Sequence, residues 1–250
     1  MDQRPDLIAI FAGGFYLVAS LRLFRLGRRS GKRPELLLGA YFAGAGQWFA
    51  IQNGALLIGF DALPALAEQV AEWVYVASVI AYLLFIKTVF RARDAWAHSL
   101  VGAAIAYLLL GASALSVSGE LVSALDNPWF LIEWIGYTIP CVWMSVEGVL
   151  AHARAKRRVA IGICDPIVAD RFLLMGAFGF FQCVACAAEL FWAAENVATP
   201  LFSSAAFRLL GAAEAASIAL LWLAFFPPRL YQRWVENRSA ALARAGGLRP

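Results

Sequence analysis

The sequence predicts an all-α polytopic membrane protein: a seven-transmembrane helix bundle, N-terminus outside and C-terminus cytoplasmic, with a short C-terminal amphipathic helix. Three observations predict it. Of 250 residues, 62% are hydrophobic and 15% are charged, against about 25% charged in an ordinary soluble domain. Apolar runs of about 20 residues recur along the chain, each long enough to cross a hydrocarbon core about 30 Å thick. The connections between the runs alternate between arginine-rich and free of Lys and Arg, the pattern that orients helices across a bilayer.

The first span is expected over residues 7–23, followed by Arg22, Arg25, Arg28, Arg29, Lys32 and Arg33. The second covers 36–60, and the connection Asp61 to Gln69 has no basic residue. The third covers 70–90 and closes with Lys87, Arg91 and Arg93. The fourth covers 98–117, and Ser118 to Asn127 is again free of basic residues. The fifth covers 128–150 and leads into His152, Arg154, Lys156, Arg157 and Arg158. The sixth covers 172–194, and the seventh 205–226, where Pro227-Pro228 stops the helix because proline lacks the amide hydrogen that a helix interior needs. Even-numbered connections are free of basic residues and odd-numbered ones carry them, which puts the odd ones in the cytoplasm.

Residues 1–228 thus form one seven-helix transmembrane domain, and 229–250 a cytoplasmic tail. Leu230, Tyr231, Trp234 and Val235 alternate there with Arg229, Arg233 and Arg238, an apolar stripe with a basic face that suits a helix lying on the inner leaflet. The loop Val159 to Arg171 is apolar for a loop and is expected to hold a second interfacial segment. The N-terminal apolar run has no small-residue cleavage site and is expected to be retained as a span. Small residues at helix interfaces account for the likeness of the Gly-Ala-rich stretches in helices two and six.

The 21 basic residues are 18 Arg and 3 Lys, and the isoelectric point is about 9.0. This charge follows topology and does not form one patch, so no nucleic-acid partner is expected. Cys141, Cys183 and Cys186 fall in apolar runs and Cys164 in a basic loop, so no structural disulfide is implied. The pair Cys183 and Cys186 reads as packing rather than as a redox or metal pair.

Polar residues inside the spans carry the functional information, because each is costly there unless it faces the bundle interior or water. The candidate ligand-binding set is Gln47, Gln52, Glu72, Tyr75, Glu133, Tyr137, Gln182, Glu189 and Glu214, with Asn53 and Arg208 nearby in depth. At 1.5 Å of rise per residue, Glu214 lies roughly 15 Å below the outer end of helix seven, and Glu189 roughly 8 Å below that of helix six. Glu133, Tyr137 and Cys141 share a face at i, i+4, i+8; Gln182, Cys186 and Glu189 align at i, i+4, i+7; Glu72, Tyr75, Val79 and Tyr82 share a face of helix three. Trp48, Trp73, Trp129, Trp134 and Trp192 lie at similar outer depths. Carboxylates interleaved with aromatic rings suit a small cation, by charge pairing and cation–π contact.

Structural readings stand beside these. Trp73, Trp129 and Trp192 fit an interfacial aromatic belt, and Glu72 and Glu195 fit solvated helix ends. Arg208 and Glu214 could pair, although a six-residue offset puts them on opposite helix faces. Snorkelling or structural pairing accounts for Lys87 and Glu147.

Some chemistries are excluded by residue type. His98 and His152 both lie at the cytoplasmic edge, whereas metal-dependent seven-helix hydrolases of the ceramidase and progestin-receptor type need several intramembrane histidines. Microbial rhodopsins need a helix-seven lysine for retinal, and helix seven here has none. No metal and no cofactor is therefore expected. No phosphate-cradling glycine loop or nucleophile elbow occurs, and no catalytic residue is assigned.

Two resemblances follow from motifs. The seven-helix plan, with Pro228-Arg-Leu-Tyr231 and an amphipathic segment after helix seven, resembles the layout of G-protein-coupled receptors. The sequence departs from that family where Asn is missing before the proline and Phe90-Arg-Ala-Arg93 replaces its Asp-Arg-Tyr pattern; the likeness is architectural. Residues 162–174, Gly-Ile-Cys-Asp-Pro-Ile-Val-Ala-Asp-Arg-Phe-Leu-Leu, are similar to a segment of uncharacterised bacterial seven-helix integral membrane proteins. That resemblance and the Arg and Ala richness imply a bacterial inner membrane.

The functional expectation is a membrane sensor that takes a small cationic or lipophilic ligand into an outward-facing polar and aromatic pocket and acts through a cytoplasmic or membrane protein partner. The alternative is a proton or small-cation transporter or channel using intramembrane Glu, although no inverted repeat is evident. A lipid-modifying enzyme is the third reading, for which a nucleophile or metal set is missing.

Overall fold

The computed structural model describes residues 7–57, 65–118, 127–195 and 205–245. Among them the chain is all-helical, with eight helices: α1 (Leu7–Ser30), α2 (Arg33–Leu57), α3 (Ala65–Phe90), α4 (Ala95–Ser118), α5 (Pro128–Ala160), α6 (Pro166–Glu195), α7 (Ala205–Phe225) and α8 (Arg229–Ala245). Five stretches are long and apolar enough to cross a membrane: Leu66–Phe90, Ala95–Ser118, Pro128–Ala160, Pro166–Phe191 and Arg208–Phe225. Five such stretches mark a multi-pass membrane protein whose surroundings are a lipid bilayer. The three long connections read as free of basic residues fall largely outside the described residues.

The helices divide into two compact units. Unit 1 takes Met1–Pro140 and Val184–Ala215; unit 2 takes Cys141–Cys183 and Ala216–Pro250.

In unit 1, α2 packs on α1 and α3, and glycine is what permits the approach. A Cβ added at Gly44 would lie 2.4 Å from Ser78 Cβ on α3, and one at Gly46 would lie 3.0 Å from the Gly13 carbonyl on α1. A lipid-embedded interface gains little from the hydrophobic effect and depends on such backbone proximity. Aromatic rings fill the remaining space: Tyr16 stacks on Phe42 at 5.5 Å and Tyr41 on Tyr82 at 4.4 Å. Tyr16, Phe42, Tyr82, Leu83, Ile86 and Leu108 are fully buried. On α4, a Cβ at Gly111 would lie 2.5 Å from Glu133 Cβ of α5. The same face continues into a small core of Leu115 and Phe130, with Leu131, Trp134 and Leu190 against it.

In unit 2, α5 and α6 meet at a glycine contact: a Cβ at Gly148 would lie 2.5 Å from the Gly176 backbone, and one at Gly179 would lie 2.6 Å from Ser145 N. Met144, Phe178 and Leu221 are buried. Glu147, buried on α5, pairs at 3.4 Å with Arg154 of the same helix.

The stretch 159–171, read as a loop, is for the most part helical, with a tight turn over 161–165 between α5 and α6. Gly162 adopts φ +72°, a conformation that costs a residue with a Cβ about 1–2 kcal/mol. Gly162 and Ile163 donate backbone hydrogen bonds to Val159 O (3.0 Å) and Arg158 O (2.9 Å), closing the end of α5 as a left-handed C-cap does. Asp165 Oδ1 then accepts from Ile167 N at 2.8 Å and Pro166 takes the first position of α6, a capped start in which the missing proline amide costs nothing. Val159, Ile167, Val168 and Ala169 of this stretch lie in the helices, whereas Ile161 and Ile163 are exposed in the turn. Similarly, α1 runs past residue 23 to Ser30, through the arginine cluster, before Gly31 closes it at φ +67°.

Helix α8 follows Pro227 and Pro228, and Val235 is its buried anchor. Tyr231 Oη donates a hydrogen bond to Asp170 Oδ2 of α6. Burial, then the Asp170 carboxylate, push the Tyr231 phenol up from its usual range, so it remains a protonated donor at neutral pH.

Candidate functional site

The candidate site is a carboxyl and tyrosine cluster inside unit 1. Its centre is Tyr137 of α5, whose hydroxyl lies 2.5 Å from Glu72 Oε1 of α3 and 3.1 Å from Glu133 Oε1 one helical turn away. The helix supplies the second geometry directly, since residues four apart are neighbours on one face. The first needs α3 and α5 side by side at this level. Glu133 itself is buried, with its backbone against Gly111.

The aromatic surround is continuous. Trp48 of α2 and Tyr75 of α3 have ring centroids 5.4 Å apart, and Tyr75 lies 5.2 Å from Tyr137. The Trp48 indole N–H lies beside the Glu72 carboxyl. Trp134 is fixed by donating Nε1–H to the Cys186 carbonyl at 3.1 Å.

Two further carboxyls belong to the cluster. Glu189 of α6 interacts electrostatically with Glu72 and Glu214, and Glu133 interacts with Glu72 and Glu189. Glu214 of α7 accepts from Tyr16 Oη of α1 at 3.4 Å. Four helices thus each contribute one acidic group to one region. Among the described residues, no basic side chain forms an ion pair with Glu72, Glu133 or Glu189. Arg208 is exposed on α7 and forms no ion pair among them either.

Of the nine candidates, Glu72, Tyr75, Glu133, Tyr137, Glu189 and Glu214 come together here. Gln47 of α2, in the same unit, has a buried Oε1 with no partner among the described residues. The side chain of Gln52 lies outside the described residues, as do those of Asn53, Trp192 and Glu195. Gln182 is in unit 2, where its amide Nε2 donates to Ser217 Oγ at 3.1 Å and both groups are buried. Among the described residues, no grouping of His, Cys, Asp and Glu has the geometry of a metal site. None of the four cysteines is in a disulfide.

Sequence reasoning passed over Tyr16 and Ser217. Tyr16 sits among apolar residues of the first helix and is almost wholly buried; a hydroxyl that must find an acceptor in such a place was its only signal. Ser217 is indistinguishable in sequence from the small residues around it.

Comparison with protein families, with curated proteins and with solved structures finds no match for the chain.

Proposed function

We propose that this is a seven-span membrane protein, N-terminus outside, that binds a small cation at the Glu72, Glu133, Glu189 and Glu214 cluster. Helices α1 and α2, of 24 and 25 residues, add the two remaining spans. At 1.5 Å per residue each exceeds a 30 Å core, and α2 is packed against the spanning helix α3 through Gly44. The alternation of arginine-rich and basic-free connections supports the orientation, and the inner membrane of a bacterium suits the arginine bias.

The observation that carries the binding reading is the set of interacting carboxyls, Glu72, Glu133 and Glu189, with no cationic side chain paired to them among the described residues. Like charges in a low-dielectric setting repel, so these carboxyls ionise together only when a cation is bound among them. The rings of Trp48, Tyr75 and Tyr137 add faces over which an organic cation gains about 0.5–2 kcal/mol each. A binding event would act through a partner protein at the arginine-rich side.

The test is a thermal-shift titration of the full chain in neutral detergent, using tetramethylammonium and butylammonium against sodium. Stabilisation by the organic cations that disappears in Glu133→Gln and Glu214→Gln supports the site; equal shifts in wild type and both variants remove it.

A second reading, proton or small-cation translocation, is favoured by one observation. Tyr137 has a single phenolic hydrogen and two carboxyl oxygens within bonding range, so satisfying both contacts requires a second proton held by a carboxyl. That arrangement suits proton exchange between Glu72 and Glu133. Proteoliposome flux that is lost in Tyr137→Phe while cation binding is retained would select it.

A further inference from the structure

Unit 2 contains a pocket of about 90 Å³, open to solvent, among α5, α6 and α8, whose walls include His152, Lys156, Ala169, Asp170, Arg238 and Ser239. It is independent of the carboxyl cluster and belongs to the opposite charge type. His152 and Lys156 are one turn apart on α5. Tyr231, Val235 and Arg238 fall on one face of α8 at i, i+4, i+7, so the buried Val235 anchors the face that bears Arg238.

The hydrogen bonds assign each polar group a role. His152 Nδ1 lies 2.8 Å from the Ala169 carbonyl; a carbonyl only accepts, so Nδ1 carries the hydrogen and Nε2 is left without a partner among the described residues. Asp170, the one acidic group on the wall, is engaged by the Tyr231 hydroxyl. The Arg238 guanidinium is held 5.3 Å over the Trp234 ring, and neither it nor Lys156 forms an ion pair among the described residues. The wall therefore presents Lys156, Arg238, the Ser239 hydroxyl and His152 Nε2, against one carboxylate already occupied. Formal charge sums to +1 with a neutral imidazole. The space is enough for several waters and so for one tetrahedral oxyanion.

We infer that this cavity binds a single phosphate oxyanion, coordinated by Lys156 and Arg238 with the Ser239 hydroxyl and His152 Nε2 as further partners. Guanidinium and ammonium donors give phosphate charge-assisted hydrogen bonds. Two sources share this chemistry: the phosphodiester of an anionic lipid headgroup, and free inorganic phosphate. The exposed Leu230 and Trp234 of α8 beside these cations are what an interfacial helix presents to lipid, which favours the headgroup.

The experiment uses the full chain, purified in neutral detergent. One arm measures radiolabelled inorganic phosphate by equilibrium dialysis; the other counts phosphatidylglycerol adducts by native mass spectrometry against phosphatidylcholine. Each compares Lys156→Gln/Arg238→Gln with Arg157→Gln/Arg158→Gln, which removes the same charge from exposed residues outside the cavity wall. The expected result is one bound phosphate group per chain. The cavity variant should weaken it by about tenfold or more, as loss of charged hydrogen bonds dictates, with the control close to wild type. The arm that shows this names the source. No binding in either arm, or equal loss in both variants, overturns the proposal. Lys156 is exposed, so Lys156→Gln alone against Arg157→Gln carries the same comparison if the double variant does not fold.

Discussion

The Tyr137 hydroxyl of α5 lies 2.5 Å from the Glu72 carboxyl of α3, joining two helices through residues 65 apart in the chain and a single phenolic oxygen. Removing that oxygen leaves the ring stack with Tyr75 intact but strips a partner from two half-buried or buried carboxyls. Tyr137→Phe is therefore expected to lower stability by about 1–3 kcal/mol, the range for a lost hydrogen bond to a charged group. Thermal unfolding in detergent, followed by tryptophan fluorescence, measures it. An unchanged midpoint would show that the contact contributes nothing.

Glu133→Gln separates a binding site from a structural one. Glu133 is buried and interacts with Glu72 and Glu189 as well as with Tyr137. A neutral amide of the same shape keeps a hydrogen-bond acceptor for Tyr137 and removes one like charge. If the cluster exists to bind a cation, the variant gains stability, by about 1 kcal/mol, and loses cation-dependent stabilisation, the trade-off typical of sites under strain. If Glu133 is only structural, the variant melts earlier. The midpoint with and without tetramethylammonium distinguishes the two.

Gly111 is predicted to be intolerant of any side chain. A Cβ there would sit 2.5 Å from Glu133 Cβ and 2.7 Å from its Cα, so α4 and α5 must separate. Gly111→Ala is expected to cost about 1–3 kcal/mol, as overpacking does in dense interiors. It should also disturb the candidate site, because the displaced residue is Glu133. Gly102, on the same helix with open space at its Cβ position, is the control: Gly102→Ala should match wild type in midpoint.

These positions show what was legible in the sequence and what was not. Helix placement was, because a bilayer demands long apolar runs, and α3 to α7 fall on the expected ones. The pairing of Glu133 with Tyr137 was legible as well, since i, i+4 spacing is a property of one helix. The Glu72 to Tyr137 contact was not: spacing says nothing about which helices are neighbours. Gln182 shared a helical face with Glu189 in sequence, yet it bonds Ser217 within unit 2, because a small hydroxyl on another helix leaves no trace in hydropathy. The turn at 161–165 was legible in Gly162 and Asp165-Pro166, a helix stop followed by a helix start.

The proposed seven-span, N-outside topology makes its own prediction, independent of any ligand. Ser118 closes α4 and is exposed, and Arg157 lies near the end of α5 and is exposed. In a background where the four cysteines are replaced by Ala, single cysteines at these two positions should report opposite sides. A membrane-impermeant maleimide applied to intact bacterial cells is expected to label Ser118→Cys, beside a basic-free connection. Arg157→Cys should be labelled only after permeabilisation, because the arginine-rich connection is retained inside. The reverse pattern would invert the bundle and place the carboxyl cluster nearer the cytoplasm. Labelling of both positions in intact cells would mean that α5 does not cross the membrane.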